Sequence, residues 1–140
     1  MDGKLRTALS APFPDDAVKR RRGNFGKDIR YVDGNAIVAR LNDVFEAEWG
    51  FEIVSHQSLE PGGEVLVHGK LTALGVTKEA FGKSAPAVSR DTGEVMSMAD
   101  AYKAAATDAL KKCATLLGVA AYLYSDEYTV KARPTTSCRS

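Results

Sequence analysis

The sequence has few of the residues from which cross-links and metal sites are built. Its 140 residues include two cysteines, Cys113 and Cys138, and two histidines, His56 and His68. Two cysteines do not make a disulfide framework, and none of these residues has the close spacing of a structural zinc site. We therefore expect no disulfide-stabilised fold and no metal centre. Cys113 lies inside an apolar helical pattern and is expected to be a buried thiol.

Long apolar segments are also absent. No run approaches the about 18 residues that a membrane helix needs, and the first residues lack the apolar core of a signal peptide. Hydrophobic residues make up 44% and charged residues 26% of the chain, as is typical of soluble globular domains. We expect a cytoplasmic protein with one domain over residues 1–130 and a flexible polar tail over 131–140.

Catalytic and nucleotide-binding motifs are missing or incomplete. Residues 77–84 are similar to a phosphate-binding loop, but Thr77 stands at the first glycine, so the backbone could not wrap a phosphate. No Ser-His-Asp order and no paired carboxylates indicate a catalytic centre. The sequence predicts no nucleotide, no cofactor and no enzyme activity. A metal-dependent nuclease or hydrolase that uses the acidic segment is the main alternative.

The hydrophobic pattern favours an α+β fold over alternating strand–helix units. Two extended segments around a Gly/Asn centre predict a β-hairpin, and apolar residues at helical spacing predict two longer helices. In the long helix, an apolar stripe is expected to face the core; its members are Met98, Tyr102, Ala105, Ala109, Cys113 and Leu116. Asp33 and Ser97 are candidate N-caps, and Gly50 and Gly118 candidate stops. The predicted elements are a helix (4–10), a hairpin (18–32), a helix up to Trp49, strands (51–59 and 64–76), a loop (78–94) with a candidate third strand (85–90), and a long helix (97–117).

Charge is concentrated although the formal net charge is only +1. Residues 19–30 contain six Lys or Arg and one Asp, a local +5, whereas residues 43–64 contain six Asp or Glu and no Lys or Arg, a local −6. Lys and Arg neutralise phosphates, and Phe25 and Tyr31 could stack on bases. The basic segment is either a nucleic-acid surface or a solvated charged hairpin. The opposite charges also suggest that copies join head to tail.

The predicted long helix carries Lys103, Lys111 and Lys112. Lys103 and Lys111 share one polar stripe, whereas Asp108 and Lys112 have the i, i+4 spacing of an ordinary ion pair. These lysines either extend the basic surface or solubilise an alanine-rich helix, and the spacing alone does not decide between the two.

Two segments together resemble the Rad52 superfamily of single-strand annealing proteins. The first runs from Arg20-Arg21-Arg22-Gly23 through Tyr31-Val32-Asp33-Gly34 to Trp49-Gly50. The second is residues 101–114, with a Thr-Asp-(small)-Leu-Lys-(basic) core, followed by Leu117-Gly118. The bacterial DdrA branch is similar in addition at residues 11–14, 65–77 and 121–124.

The resemblance implies a β-β-β-α core, in which an antiparallel sheet packs on a long helix, with an additional basic hairpin and assembly into a ring or filament. It implies ATP-independent binding of single-stranded DNA in the nucleoid, protection of DNA ends, and annealing of complementary strands in recombinational double-strand break repair. The implied partners are single-stranded DNA and further copies of the chain. A duplex-RNA binding module is a second alternative, because a β-β-β-α core also serves that role.

The family's DNA contacts carry over where the motifs match. They fall on Arg21, flanked by Arg20 and Arg22, on Tyr31, and on Lys111 and Lys112. Lys103 completes the predicted DNA site. The resemblance fails at two positions: Thr115 replaces a further basic residue, and only Arg90 is available for a second DNA site. It implies no recombinase-recruiting tail.

Overall fold

The computed structural model describes residues 2–23, 26–59, 63–86, 91–92 and 97–124. β1 and β2 pair antiparallel, and β3, β4 and β5 form a second antiparallel sheet in that order. In chain order the helices and strands are α1 (Gly3–Ser10), β1 (Lys19–Arg22), β2 (Asp28–Tyr31), α2 (Gly34–Phe45), β3 (Trp49–Ser58), β4 (Val65–Ala73), β5 (Val76–Ser84) and α3 (Met98–Leu116).

The long helix α3 lies very close to the three-stranded sheet. Every second residue of β4 is buried, and the facing residues of α3 are small, with Ala105 and Ala109 fully buried. At Gly82 in β5 the helix backbone is so near that an added Cβ would overlap Ala105 O and Ala109 N. The antiparallel sheet packed on a long helix confirms the predicted core.

The third strand was predicted in the wrong place. β5 occupies Val76–Ser84, where a loop was expected, and most of the candidate strand 85–90 lies outside the described residues. The reason is the tight turn after β4, in which Leu74 and Gly75 have φ angles of 52° and 76°. Two successive positive φ angles are the geometry that joins antiparallel strands directly.

The end of α2 was also predicted in the wrong place. The helix ends at Phe45, and Glu46 and Ala47 adopt the left-handed conformation with φ of 53° and 65°. Gly50, the predicted stop, lies inside β3 instead. The start of the helix follows the prediction, because the Asp33 carboxylate accepts a hydrogen bond from Ala36 N at 3.1 Å.

Arg40 of α2 is hydrogen-bonded to the C-terminal end of α1. Its guanidinium lies 4.0 Å from the centroid of the Phe13 ring, and burial lowers the pKa of Arg40. Its Nη1 donates to three carbonyl oxygens, those of Ala8 (3.3 Å), Leu9 (2.9 Å) and Ala11 (2.8 Å). The last carbonyls of a helix have no partner within it, so this one side chain satisfies groups that the helix leaves open.

In the described part of the chain, no helix combines the length and the hydropathy needed to cross a membrane.

Candidate nucleic-acid interface

A groove of about 690 Å³ lies between the β1–β2 pair and α3. Four residues of the predicted DNA site line it, namely Arg21, Tyr31, Lys111 and Lys112. The other lining residues are Ile29, Ala80, Asp108, Thr115, Leu116 and Tyr124.

The register of the β1–β2 pair decides which arginines face this groove. Arg21 is paired with Ile29, and Lys19 with Tyr31. Because side chains alternate along a strand and paired residues share a face, these four lie on one face. Arg20 and Arg22 lie on the opposite face.

The β1–β2 pair forms one side of the groove, the strand wall, and one face of α3 forms the other side, the helix wall. The lining residues of this helix lie three or four positions apart, as residues on one helical face do. Lys111 Nζ lies 5.2 Å from the centroid of the Tyr31 ring, within the range of a cation–π contact. This contact joins the helix wall to the strand wall.

The cations around the groove differ in whether they are already paired. Lys112 Nζ lies 2.8 Å from Asp108 Oδ2, and the same carboxylate oxygen accepts a hydrogen bond from Lys83 N in β5 at 3.0 Å. Arg20 is 3.8 Å from Asp28. Among the described residues, neither Arg21 nor Lys111 forms an ion pair.

The ammonium of Lys111 is half-buried, which has an electrostatic consequence. Burial lowers the pKa of Lys111, and the charges of Arg21 and Lys112 lower it further. Asp108 and Asp33 act in the opposite direction without restoring the ordinary value. The protein thus holds a partly desolvated cation in the groove, and no carboxylate in the described part of the chain lies at ion-pair distance from it. An anionic ligand would supply that partner.

Asp33 connects the base of the strand wall to α2. Lys19 Nζ lies 2.9 Å from Asp33 Oδ2, and this hydrogen bond raises the pKa of Lys19. The hydrogen bonds from Lys19 and then from Ala36 N lower the pKa of the Asp33 carboxyl. Lys19 is therefore a paired cation, unlike Arg21 two residues later on the same face.

Three predicted cations do not line the groove. Arg20 and Arg22 lie on the other face of their strand, and Lys103 is exposed on α3 outside the lining. Arg90 and the aromatic Phe25 lie outside the described residues.

Sequence reasoning missed the apolar part of the lining. Leu116 is 56% exposed although it is a large hydrophobic residue, and Ile29 and Tyr124 also line the groove. The helical period predicts Leu116 on the core-facing stripe with Cys113, and this prediction was wrong. Around the helix the residue lies nearer to the exposed Lys112, four positions earlier, than to Cys113.

The candidate metal ligands are distributed over different parts of the fold. The His56 ring lies 5.2 Å from the Tyr102 ring, and Cys113 is fully buried, where desolvation raises its pKa. His68 lies on the other side of the sheet, with Nε2 2.6 Å from Glu79. No group of three or more potential metal ligands occurs among the residues that the structure describes.

Comparison with known proteins identifies the family. The family model of the Rad52/22 family double-strand break repair proteins matches residues 2–137. The chain belongs to the Rad52/22 family. The predicted resemblance is thereby confirmed. Both motifs that indicated the Rad52/22 family contribute to the groove, the first through Arg21 and Tyr31 and the second through α3.

Two relatives from this family's DdrA branch are similar to most of the chain. Each is named single-stranded DNA-binding protein DdrA, one from Deinococcus radiodurans and one from Deinococcus deserti. They are 38% and 37% identical to it over 127 residues. The alignments cover 86% of this chain but 54% and 56% of the relatives. The chain therefore spans about half the length of the curated relatives it matches.

Proposed function

We propose that this chain binds single-stranded DNA in the groove between β1–β2 and α3. It protects DNA ends and anneals complementary strands without ATP during double-strand break repair, and it works in the nucleoid. The observation that carries the proposal is that Arg21 and Lys111, two cations without ion-pair partners among the described residues, line one groove beside Tyr31. Membership in the Rad52/22 family and the names of the two relatives support single-stranded DNA as the ligand.

The groove offers separate surfaces to the phosphates and to the rest of the nucleotide. Arg21 and Lys111 hold phosphates, and Lys112 can exchange its contact with Asp108 for another. Tyr31 packs on a sugar or base, and Leu116 adds apolar surface. Contacts to the backbone carry little sequence information, so the bound strand stays free to test a complementary one. This function needs no bond to be made or broken, and hence no enzyme activity and no nucleotide.

Replacing Arg21 or Lys111 by alanine should weaken binding of an oligothymidylate and reduce its salt dependence. Each lost phosphate contact should lower the slope of log affinity against log salt by about 0.7. Fluorescence anisotropy over a series of salt concentrations measures both quantities. Arg20→Ala is the matched control, because this arginine lies on the opposite face of the same strand, and its effect should be smaller. Equal slopes for the wild type, Arg21→Ala and Lys111→Ala would contradict the proposed groove.

Annealing is tested with two complementary oligonucleotides, one carrying a fluorophore and one a quencher, without ATP. We expect the chain to accelerate quenching, and Arg21→Ala and Lys111→Ala to lose most of the acceleration. Cleavage of a labelled single strand in magnesium or manganese would favour the nuclease alternative. Stronger binding of duplex RNA than of single-stranded DNA in direct competition would favour the duplex-RNA module.

We further propose that copies of the chain assemble head to tail into a ring or filament. The support is the charge distribution, with +5 over residues 19–30 and −6 over residues 43–64. Because such a contact joins two different surfaces, it repeats until the assembly closes or extends. Light scattering after size exclusion should give a mass several times the 15.0 kDa of one chain, decreasing at high salt. A 15.0 kDa species at every concentration would contradict assembly.

A further inference from the structure

Lys111 has a setting that sets it apart from the other lysines of the described chain. It combines three properties: its side chain is half-buried, it lines the groove, and it forms no ion pair among the described residues. By contrast, the described ion pairs occupy Lys19, Lys70, Lys83 and Lys112. Lys103 is exposed and lies outside the groove lining.

We infer that Lys111 captures abasic sites in single-stranded DNA by forming an imine with the sugar aldehyde. The inference rests on the proposed function, because it requires the strand to lie in the groove. An abasic site keeps both flanking phosphates but has lost its base, so Arg21 can still hold the backbone. The deoxyribose opens to an aldehyde at C1′, which is an electrophile that an intact strand does not present.

Capture requires a lysine that gives up its proton readily, since only the neutral amine is a nucleophile. The surroundings of Lys111 favour that form. Its side chain is half-buried in the groove lining. This burial is the largest cause that lowers the pKa of Lys111; Arg21 and Lys112 add to it, whereas Asp108 and Asp33 act against it. Desolvation and like charges both lower a lysine pKa. Lys112 has a different setting, because its Nζ forms an ion pair with Asp108 Oδ2 at 2.8 Å.

The proposed step balances without an oxidant or a reductant. The Lys111 amine uses its lone pair to attack C1′ and forms a carbinolamine. Loss of one water, made from the carbinolamine hydroxyl and the remaining N–H proton, gives the imine. A proton from solvent converts the imine to its protonated form, and addition of water reverses the reaction. Elimination of the 3′ phosphate would additionally require a base to remove a proton at C2′. Asp108, the carboxylate of the groove lining, already accepts hydrogen bonds from Lys83 N and Lys112 Nζ. We therefore expect a reversible cross-link with the strand intact.

The experiment is borohydride trapping with the whole chain. A labelled single-stranded oligonucleotide with one abasic site is incubated with the protein and sodium cyanoborohydride, which reduces an imine to a stable amine. The matched probe carries a tetrahydrofuran at the same position, which has the same phosphates but no aldehyde. The covalent product is divided by the DNA bound non-covalently in the same sample, so that differences in affinity cancel. Peptide mass spectrometry then identifies the modified residue.

We expect a covalent product with the abasic probe and none with the tetrahydrofuran probe. The adduct should map to Lys111, Lys111→Arg should lose it, and Lys70→Arg on the other side of the sheet should retain it. Strand cleavage that disappears in Lys111→Arg would also support the imine, because elimination proceeds through it.

Absence of an adduct, or an adduct on Lys112 or spread over several lysines, would overturn the inference. If the tetrahydrofuran probe still binds in those cases, the proposed function stands. If neither probe nor an intact strand binds, the proposed function itself fails.

Discussion

Replacing Gly82 by alanine is expected to lower the free energy of unfolding by about 3 kcal/mol or more, or to prevent folding. The new Cβ would overlap Ala105 O and Ala109 N, and it would lie 2.9 Å from Ala109 Cα. All three are backbone atoms of α3, so no side-chain rotation can relieve the overlap. The helix would have to move away from β5.

Urea denaturation followed by circular dichroism measures this effect. Gly50→Ala is the control, because this glycine also lies in a strand of the same sheet but has no atom within 4 Å of an added Cβ. It should change the free energy of unfolding by less than about 0.5 kcal/mol. Equal stability of the two variants would show that α3 is not held as closely to β5 as described. Movement of α3 would also shift Lys111 relative to Tyr31, so Gly82→Ala should bind single-stranded DNA more weakly where it folds.

The second large effect is expected for Arg40→Met, which keeps the apolar stem but removes the guanidinium. The variant loses donors to three carbonyl oxygens at the end of α1 and the contact with the Phe13 ring. A hydrogen bond from a charged group contributes about 1.5–3 kcal/mol, and a partly buried carbonyl left without a donor adds a cost. The desolvation that lowers the Arg40 pKa offsets part of this contribution. We expect a net loss of about 2 kcal/mol in the free energy of unfolding.

The same denaturation assay tests this prediction. Lys70→Met removes a cation from an exposed pair, 3.9 Å from Glu52, and should cost less than about 1 kcal/mol. Arg40→Lys keeps the charge on a shorter side chain but lacks the planar guanidinium that lies over the Phe13 ring, so its stability should fall between the wild type and Arg40→Met. If Arg40→Met were no less stable than Lys70→Met, the hydrogen bonds at the end of α1 would make no net contribution to the free energy of unfolding.

The sequence was sufficient to predict the elements that depend on local chemistry. A carboxylate before Gly34 predicts a helix start, and the structure has the Asp33 cap there. The apolar stripe of α3 predicts the buried side of that helix, and Ala105 and Ala109 are fully buried, although Leu116 at its end is exposed. These features depend on residues a few positions apart, which is the range that periodicity and capping rules describe.

Other features depend on contacts between distant parts of the chain. Gly50 has the residue type of a helix stop, but Glu46 and Ala47 end the helix earlier in a conformation that non-glycine residues seldom adopt. Arg40 looks like a surface residue of an amphipathic helix until α1 is packed beside it. For the groove, the sequence predicted where positive charge lies. The family resemblance placed a contact on Arg21, but residue types alone did not distinguish it from Arg20 and Arg22, because that requires the register of β1 with β2.

The close packing of α3 against the three-stranded sheet has a consequence for engineering the groove. Gly82 has no side chain, and the residues of α3 opposite it are alanines. Smaller side chains therefore cannot bring the helix much closer to the sheet, and larger ones do not fit between them, so the position of α3 is difficult to change by substitution. The β1–β2 pair is packed less closely, since all four residues of β1 are exposed and no residue of β2 is fully buried. A designer who wants a wider groove, or one fitted to a different polymer, should therefore redesign the β1–β2 pair and leave α3 as a fixed reference surface.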